Sequence, residues 1–351
     1  MTVRAAFVYA NPRAALARDV AAGLAPDTGL LGQNHLAELG IEATVHDPVL
    51  TRRERRGAAH RLTWHLRELV LPFELGGVDV VCTPLANLLP LTVRLRRLRT
   101  VVVNYGLNLI VLRASSARRR LLRASLGSAA KVICLGESQR QDLLELTGLP
   151  EDHVRTALFG VDERFFEAAP AAPDGYVLSV GRDLARDYAT FARAVEGLDA
   201  RVVVVAEQRN LEGVRLPANV ETRRGLTYPE LRDLYAGAAC VVIPMRRDGY
   251  RYGSEASGLT AFLEAAASGR AVVATGRAVL RDYLEPEHTG LTAPPEDADA
   301  LRATIEQVLS DRELTAKLGR AARESVEERF TTRHLAERLA PFLKEAAWPS
   351  G

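Results

Sequence analysis

Lysine is almost missing from this chain of 351 residues: Lys131, Lys317 and Lys344 are the whole set, and arginine carries nearly all the positive charge. None of the three lies near the motifs described below, which disfavours a cofactor anchored through a lysine. Cysteine is equally scarce. Cys82, Cys134 and Cys240 stand alone, each in a strand-like apolar run, without the spacing of a metal-ligand set or a disulfide framework. They read as reduced core residues, and no metal is expected. No apolar run approaches the roughly 20 residues of a membrane span, and Met1 is followed by a strand-like segment where a signal peptide would be charged and then apolar. The expectation is a cytoplasmic protein. Aromatic residues make up 6% of the chain and do not interleave with the basic clusters, so nucleic-acid binding is disfavoured. A net charge of +2 excludes little, but its distribution is uneven, with arginines crowding 52–67, 94–99 and 113–123.

What is present is an alternation of strands and helices too long for one ordinary core. Arg4 to Ala10 is an apolar run stopping at Asn11-Pro12. Ala14 to Leu39 reads as mostly helical, broken at 25–29, with a second helix running from near Leu30 to Gly40. Strands follow at 41–46, 78–83, 100–104 and 130–135. This pattern predicts an α/β domain with a parallel sheet, spanning 1–168. Glu167 to Asp174 (EAAPAAPD) reads as a linker. A second alternation fills 174–330, and a last amphipathic helix, about Thr332 to Ala347, remains after that domain should be complete.

The stretch that organises the second half runs from Ser254 to Thr275. It predicts a turn at Gly258, a helix from Leu259 to about Ser268, a stop at Gly269 and a buried strand from Ala271. Glu264 sits inside this small-residue, apolar helix. A carboxylate there needs hydrogen-bond donors, and the hydroxyls of a sugar or ribose are good ones. The N–H groups after Gly258 meanwhile face outward at a helix N-terminus, where an anion is favoured. Six residues at 1.5 Å separate the two features by about 9 Å, a span that suits a nucleoside diphosphate. A structural ion pair between Glu264 and an arginine is the other reading of the same residues.

Four segments together resemble the retaining nucleotide-sugar glycosyltransferases of GT-B architecture, family 4. They are Val177-Leu-Ser-Val-Gly-Arg-Asp with Arg186 after it, the run from Asn219 to Ala239, Ser257 to Ala274, and Gly160-Val-Asp with Phe165 and Phe166. The resemblance is strongest from about Lys131 onward. It implies two doubly wound Rossmann-like domains with a cleft between them, an acceptor on the first and a donor on the second, and a C-terminal helix (331–351) crossing back to the first domain. By resemblance, Arg182 and Arg186 contact the pyrophosphate, Glu264 takes the ribose hydroxyls, and the backbone of Gly258, Leu259 and Thr260 holds a phosphate oxygen. The implied donor is a nucleoside diphosphate sugar of UDP or GDP type, transferred with retention, without a metal or other cofactor. Front-face attack then needs no dedicated nucleophile.

Three departures from the family pattern stand out. Eight residues separate Glu255 from Glu264 where seven are usual, so Glu255 is assigned to the transferred sugar with a loop carboxylate as the alternative. Gly29 and Gly32 replace an adjacent glycine pair, with Gly29 expected close to the sugar. Asn104, followed by Tyr105, stands where relatives place a histidine and is the candidate for that catalytic contact; His35 and His46 are other candidates. The acceptor is a small molecule, a saccharide or a lipid-linked species. Arg94, Arg96, Arg97 and Arg99, interleaved with leucines, could touch an anionic membrane face, or form a solvated surface. The loop Pro244 to Gly253 is expected to be mobile, with Tyr250 and Tyr252 stacking on a sugar. Rival readings are a same-fold epimerase or phosphorylase and a non-catalytic protein that binds a nucleotide sugar or a partner.

Overall fold

The structure is a computed structural model, and it describes residues 2–9, 11–47, 67–84, 86–168 and 175–348. The arginines of 52–66 and most of the expected linker, 169–174, lie outside the described residues. The chain divides into two compact units: Met1–Ala22 with Asp27–Phe159 and Thr332–Gly351, and Gly23–Pro26 with Gly160–Thr331.

The first unit is built on six parallel strands, β1 (Val3–Val8), β2 (Ile41–His46), β3 (Val80–Thr83), β4 (Arg99–Asn104), β5 (Lys131–Cys134) and β6 (Val154–Thr156), in the order 2-1-3-4-5-6. Valines fill the central strands and are fully buried, as in a sheet covered on both faces. The helix Thr332–Ala347 covers β1, β3 and β4, burying Leu335, Leu339 and Leu343. Phe342 of the same helix is half-buried.

One expected helix is not formed. After the helix Ala14–Ala21, the segment breaks into three short 3₁₀ turns, Asp27–Leu30, Gln33–His35 and Ala37–Leu39. Leu31 (φ 57°) and Gly32 (φ 72°) are left-handed there, which ends any α-helix. A Cβ on Gly32 would lie 2.7 Å from the Thr332 carbonyl, so the backbone is drawn tight against the last helix. The short strands β6 and, in the second unit, Leu291–Ala293 also escape the sequence pattern.

The second unit holds β7 (Tyr176–Val180), β8 (Val202–Val205), β9 (Val220–Arg223), β10 (Ala238–Ile243), β11 (Ala271–Thr275) and β12 (Leu291–Ala293), again parallel, in the order 12-11-10-7-8-9. Its core joins these valines to Phe191, Leu301, Ile305 and Leu318 from the flanking helices. The strand order reverses between β7 and β10. In open α/β sheets the carboxyl ends at such a switch point diverge and leave a crevice where ligands bind.

Candidate donor site

Three loops leave the carboxyl edge of the second sheet beside this switch point. The first follows β7 and carries Gly181, Arg182 and Arg186. The Arg186 side chain lies directly on Gly181, where a Cβ would come within 2.0 Å of Nε. Arg186 is buried, and its Nε and Nη1 have no hydrogen-bond partner among the described residues. A buried guanidinium with idle N–H groups is costly unless an anion takes them. Arg182 is exposed at the rim. Asp187 then caps the helix Tyr188–Val195, accepting from the Thr190 N–H at 3.1 Å.

The second loop leads from β10 into the helix Leu259–Ala267, whose small residues let it pack buried at every position but the exposed Thr260. Gly258, at its N-terminus, is left-handed at φ 95°, and a Cβ would press on Ile243 and Met245 at 3.3 Å. No side chain caps this end. The N–H of Leu259 is taken by the Ala256 carbonyl at 3.3 Å, leaving the next positions of the first turn, including Thr260, to face the crevice end. Ser257, buried beside the cap, has an Oγ without a partner among the described residues.

Glu264 lies on the same helix, 7% exposed. Tyr235, from the helix Tyr228–Gly237, donates its hydroxyl to Oε2 at 2.9 Å. No other hydrogen bond reaches the carboxylate among the described residues, so Oε1 is left to accept another donor. Burial pushes the carboxyl up to about 7, against the opposing pull of the Tyr235 hydrogen bond and of the positive charges of Arg182 and Arg186. Arg182, Arg186 and Glu264 therefore act on one another across a single edge of the sheet. The arrangement joins arginine forks and helix amides, which suit an anion, to a buried carboxylate, which suits hydroxyl donors.

The third loop follows β11. Thr275 Oγ1 accepts from the Met245 N–H at 2.9 Å, and Arg277, 6% exposed, donates from Nε to Asp248 at 2.8 Å. Tyr235, Ser257 and Arg277 were not singled out for these roles from sequence. A lone arginine after a strand carries no motif, and the Tyr235–Glu264 pair joins two helices 29 residues apart.

Glu255 sits in the second loop, partly buried, with its carbonyl accepting from Arg277 Nη2 at 3.4 Å. Asn104 and Gly29 belong to the first unit, so the second sheet does not gather them. Asn104 is fully buried: its Oδ1 accepts from the Leu107 N–H at 2.7 Å and its Nδ2 donates to Asn108 at 2.8 Å, so its amide caps the helix Leu107–Leu112. Tyr105, next along, is 36% exposed and edge-on to Phe159. A Cβ on Gly29 would strike Leu16 at 2.8 Å, which gives this glycine a packing reason of its own. His35 pairs with Asp27 at 3.3 Å and His46 with Glu74 at 3.2 Å. The loop 244–253, expected to be mobile, is tied to its neighbours at Met245, Arg246 and Asp248, and Tyr250 packs edge-on against Tyr252. Among the described residues no three His, Cys, Asp or Glu side chains gather as a metal-ligand set, and no helix is long and apolar enough to cross a membrane.

Residues 166–325 match the family Glycosyl transferases group 1. The group 1 segment thus contains every residue of the three loops. A GDP-mannose-dependent alpha-(1-6)-phosphatidylinositol monomannoside mannosyltransferase of Mycobacterium tuberculosis (strain CDC 1551 / Oshkosh) is 30% identical over 159 residues, 43% of this chain; the match covers 40% of that protein. Among solved structures, sucrose-phosphate synthase from Thermosynechococcus elongatus superposes with a TM-score of 0.72 at 18% identity, over 98% of each chain. Anabaena HepE in complex with UDP-glucose does so at 0.70 and 13%, covering 97% of this chain and 99% of that one. The fold is the two-domain α/β fold of the GT-B glycosyltransferases, and the group 1 match falls on the unit that carries the candidate donor site.

Proposed function

We propose that the protein transfers a sugar from a nucleoside diphosphate sugar to an acceptor hydroxyl, with retention at the anomeric carbon and without a metal. The observation that carries this reading is the convergence of Arg182, Arg186 and Glu264 at the β7–β10 switch point. Arg182, Arg186 and the amides behind Gly258 would neutralise the charge growing on the departing diphosphate, and Glu264 would fix the ribose. The match to a mannosyltransferase that uses GDP-mannose and the likeness to a protein crystallised with UDP-glucose support the donor class. Glu255 and the backbone of its loop are assigned to the transferred sugar.

The acceptor is assigned to the first unit, at a lipid surface. Leu95 is 74% exposed and Phe73 64%, and the Arg96 guanidinium lies 6.0 Å from the Phe73 ring centre. Such a mixture of exposed apolar and arginine side chains suits an anionic bilayer interface.

Calorimetry tests the donor assignment. UDP, GDP, ADP and TDP are titrated into the wild type and into Glu264→Ala and Arg182→Ala. One nucleotide binding at micromolar Kd, about 8 kcal/mol, and weakened by each change is the expected result. A protein that binds none of them is not a glycosyltransferase of this kind; one that binds a nucleotide sugar without turnover or hydrolysis, with and without EDTA, is the non-catalytic relative.

A further inference from the structure

The loop between β10 and the helix Leu259–Ala267 is held from two sides. On the β7 side, Arg186 bridges to Met245, the Arg246 N–H donates to Ala185 at 2.8 Å, and Gly253 (φ 91°) is so close that a Cβ would lie 2.7 Å from the Ala185 nitrogen. On the β11 side Thr275 Oγ1 accepts from the Met245 N–H at 2.9 Å, and one further side chain spans both limbs. Arg277 donates Nε to Asp248 Oδ1 at 2.8 Å in the outgoing limb and Nη2 to the Glu255 carbonyl at 3.4 Å in the returning limb. Asp248 Oδ2 in turn accepts from the Ala278 N–H at 3.0 Å. The fork of one guanidinium thus fixes the spacing of the two limbs and the position of Glu255.

Arg277 has more N–H groups than this clasp uses. Its Nη1 is buried and without a hydrogen-bond partner among the described residues, as is the Oγ of Ser257, two residues beyond Glu255. The charge of Arg277 is already balanced by Asp248, so Nη1 is suited to a neutral oxygen and poorly suited to a second phosphate. A sugar hydroxyl is such an oxygen.

Resting on the donor reading above, we infer that Arg277 is a specificity-determining residue for the sugar half of the donor. It sets the loop that carries Glu255 and, with Ser257, takes hydroxyls of the sugar, leaving the nucleotide half to Arg182, Arg186 and Glu264.

The test compares each nucleotide with its sugar adduct. UDP, UDP-glucose, GDP and GDP-mannose are titrated into the wild type, Arg277→Lys and Asp248→Asn, with melting curves to check folding. Arg277→Lys is expected to leave the Kd of the bare nucleotide within about twofold and to weaken the sugar nucleotide about tenfold, the scale of one hydrogen bond to a charged donor. Asp248→Asn, a change at an exposed residue, should shift the same ratio in the same direction and decides the matter if Arg277→Lys does not fold. Equal losses for nucleotide and sugar nucleotide, or no loss for either, overturn the role of Arg277 while leaving the donor site standing. Absence of nucleotide binding by the wild type overturns the two readings together.

Discussion

Tyr235 and Glu264 face each other across two helices, with the phenol donating 2.9 Å to a carboxylate on a helix whose other buried residues are alanine, leucine and phenylalanine. The pair explains how an acidic residue can be placed in the most buried helix of the second unit. The phenol supplies one hydrogen bond, Arg182 and Arg186 supply positive potential, and burial still outweighs them.

Folding stability should therefore depend on Glu264 in an unusual direction. Its carboxyl is raised from 4.5 to about 7, so between those values the folded state holds a proton that the unfolded state has lost. Stability from this group is complete below about pH 4.5, declines as pH rises to about 7 and is level above. The total is about 3 kcal/mol at 1.36 kcal/mol per unit. Glu264→Gln is expected to flatten that slope, measured by urea unfolding at pH 5 and pH 8.

Nucleotide affinity should change with pH in the opposite sense. Ribose hydroxyls donate best to the ionised carboxylate, so binding is expected to be up to about tenfold tighter at pH 8 than at pH 6. Calorimetry on Glu264→Gln should show weaker binding with the step near pH 7 removed.

Gly181 and Arg186 should behave as one unit. A methyl group at 181 would occupy the place of the Arg186 guanidinium. Gly181→Ala is expected to weaken diphosphate binding about as much as Arg186→Ala, at least tenfold, and the double variant should be no worse than either single change. Full additivity in the cycle would contradict the packing described.

Asp187 joins the helix cap to the neighbouring loop: Oδ1 accepts from Thr190 and lies 3.2 Å from Arg246 Nη2. Asp187→Ala is expected to lower stability by about 1–2 kcal/mol, the scale of a lost cap, read as a shifted urea midpoint. A change confined to nucleotide binding, with the midpoint unmoved, would speak against this role.

Most of the second unit could be read from residue pattern alone. The valine runs of β7, β8, β10 and β11 are too short for helices, those of β7, β10 and β11 stop at a glycine or proline, and Gly258 and Gly269 bracket the helix of Glu264. The placing of a carboxylate and two arginines on the site edge was legible because each follows a strand end or a glycine turn. Tyr235 was not, because nothing local marks which of nine tyrosines will face an acid 29 residues away. Arg277 was hidden for the same reason: its partners Asp248 and Glu255 come from a loop whose path depends on tertiary packing. The segment 30–39 reads as helical because its leucines have helical spacing, and the left-handed pair Leu31-Gly32 is set by contact with a helix some 300 residues later.

The helix Thr332–Ala347 gives the chain an order of assembly. The faces of β1, β3 and β4 that it covers are made before Gly160–Thr331, and the segment that covers them only after it. While a ribosome is still at work, the second unit can close its core from contiguous sequence, but the first must wait with apolar surface uncovered. Maturation of the first unit is thereby tied to synthesis of the second, and a message or chain cut short before residue 332 leaves the first sheet with a bare face for chaperones or proteases to find.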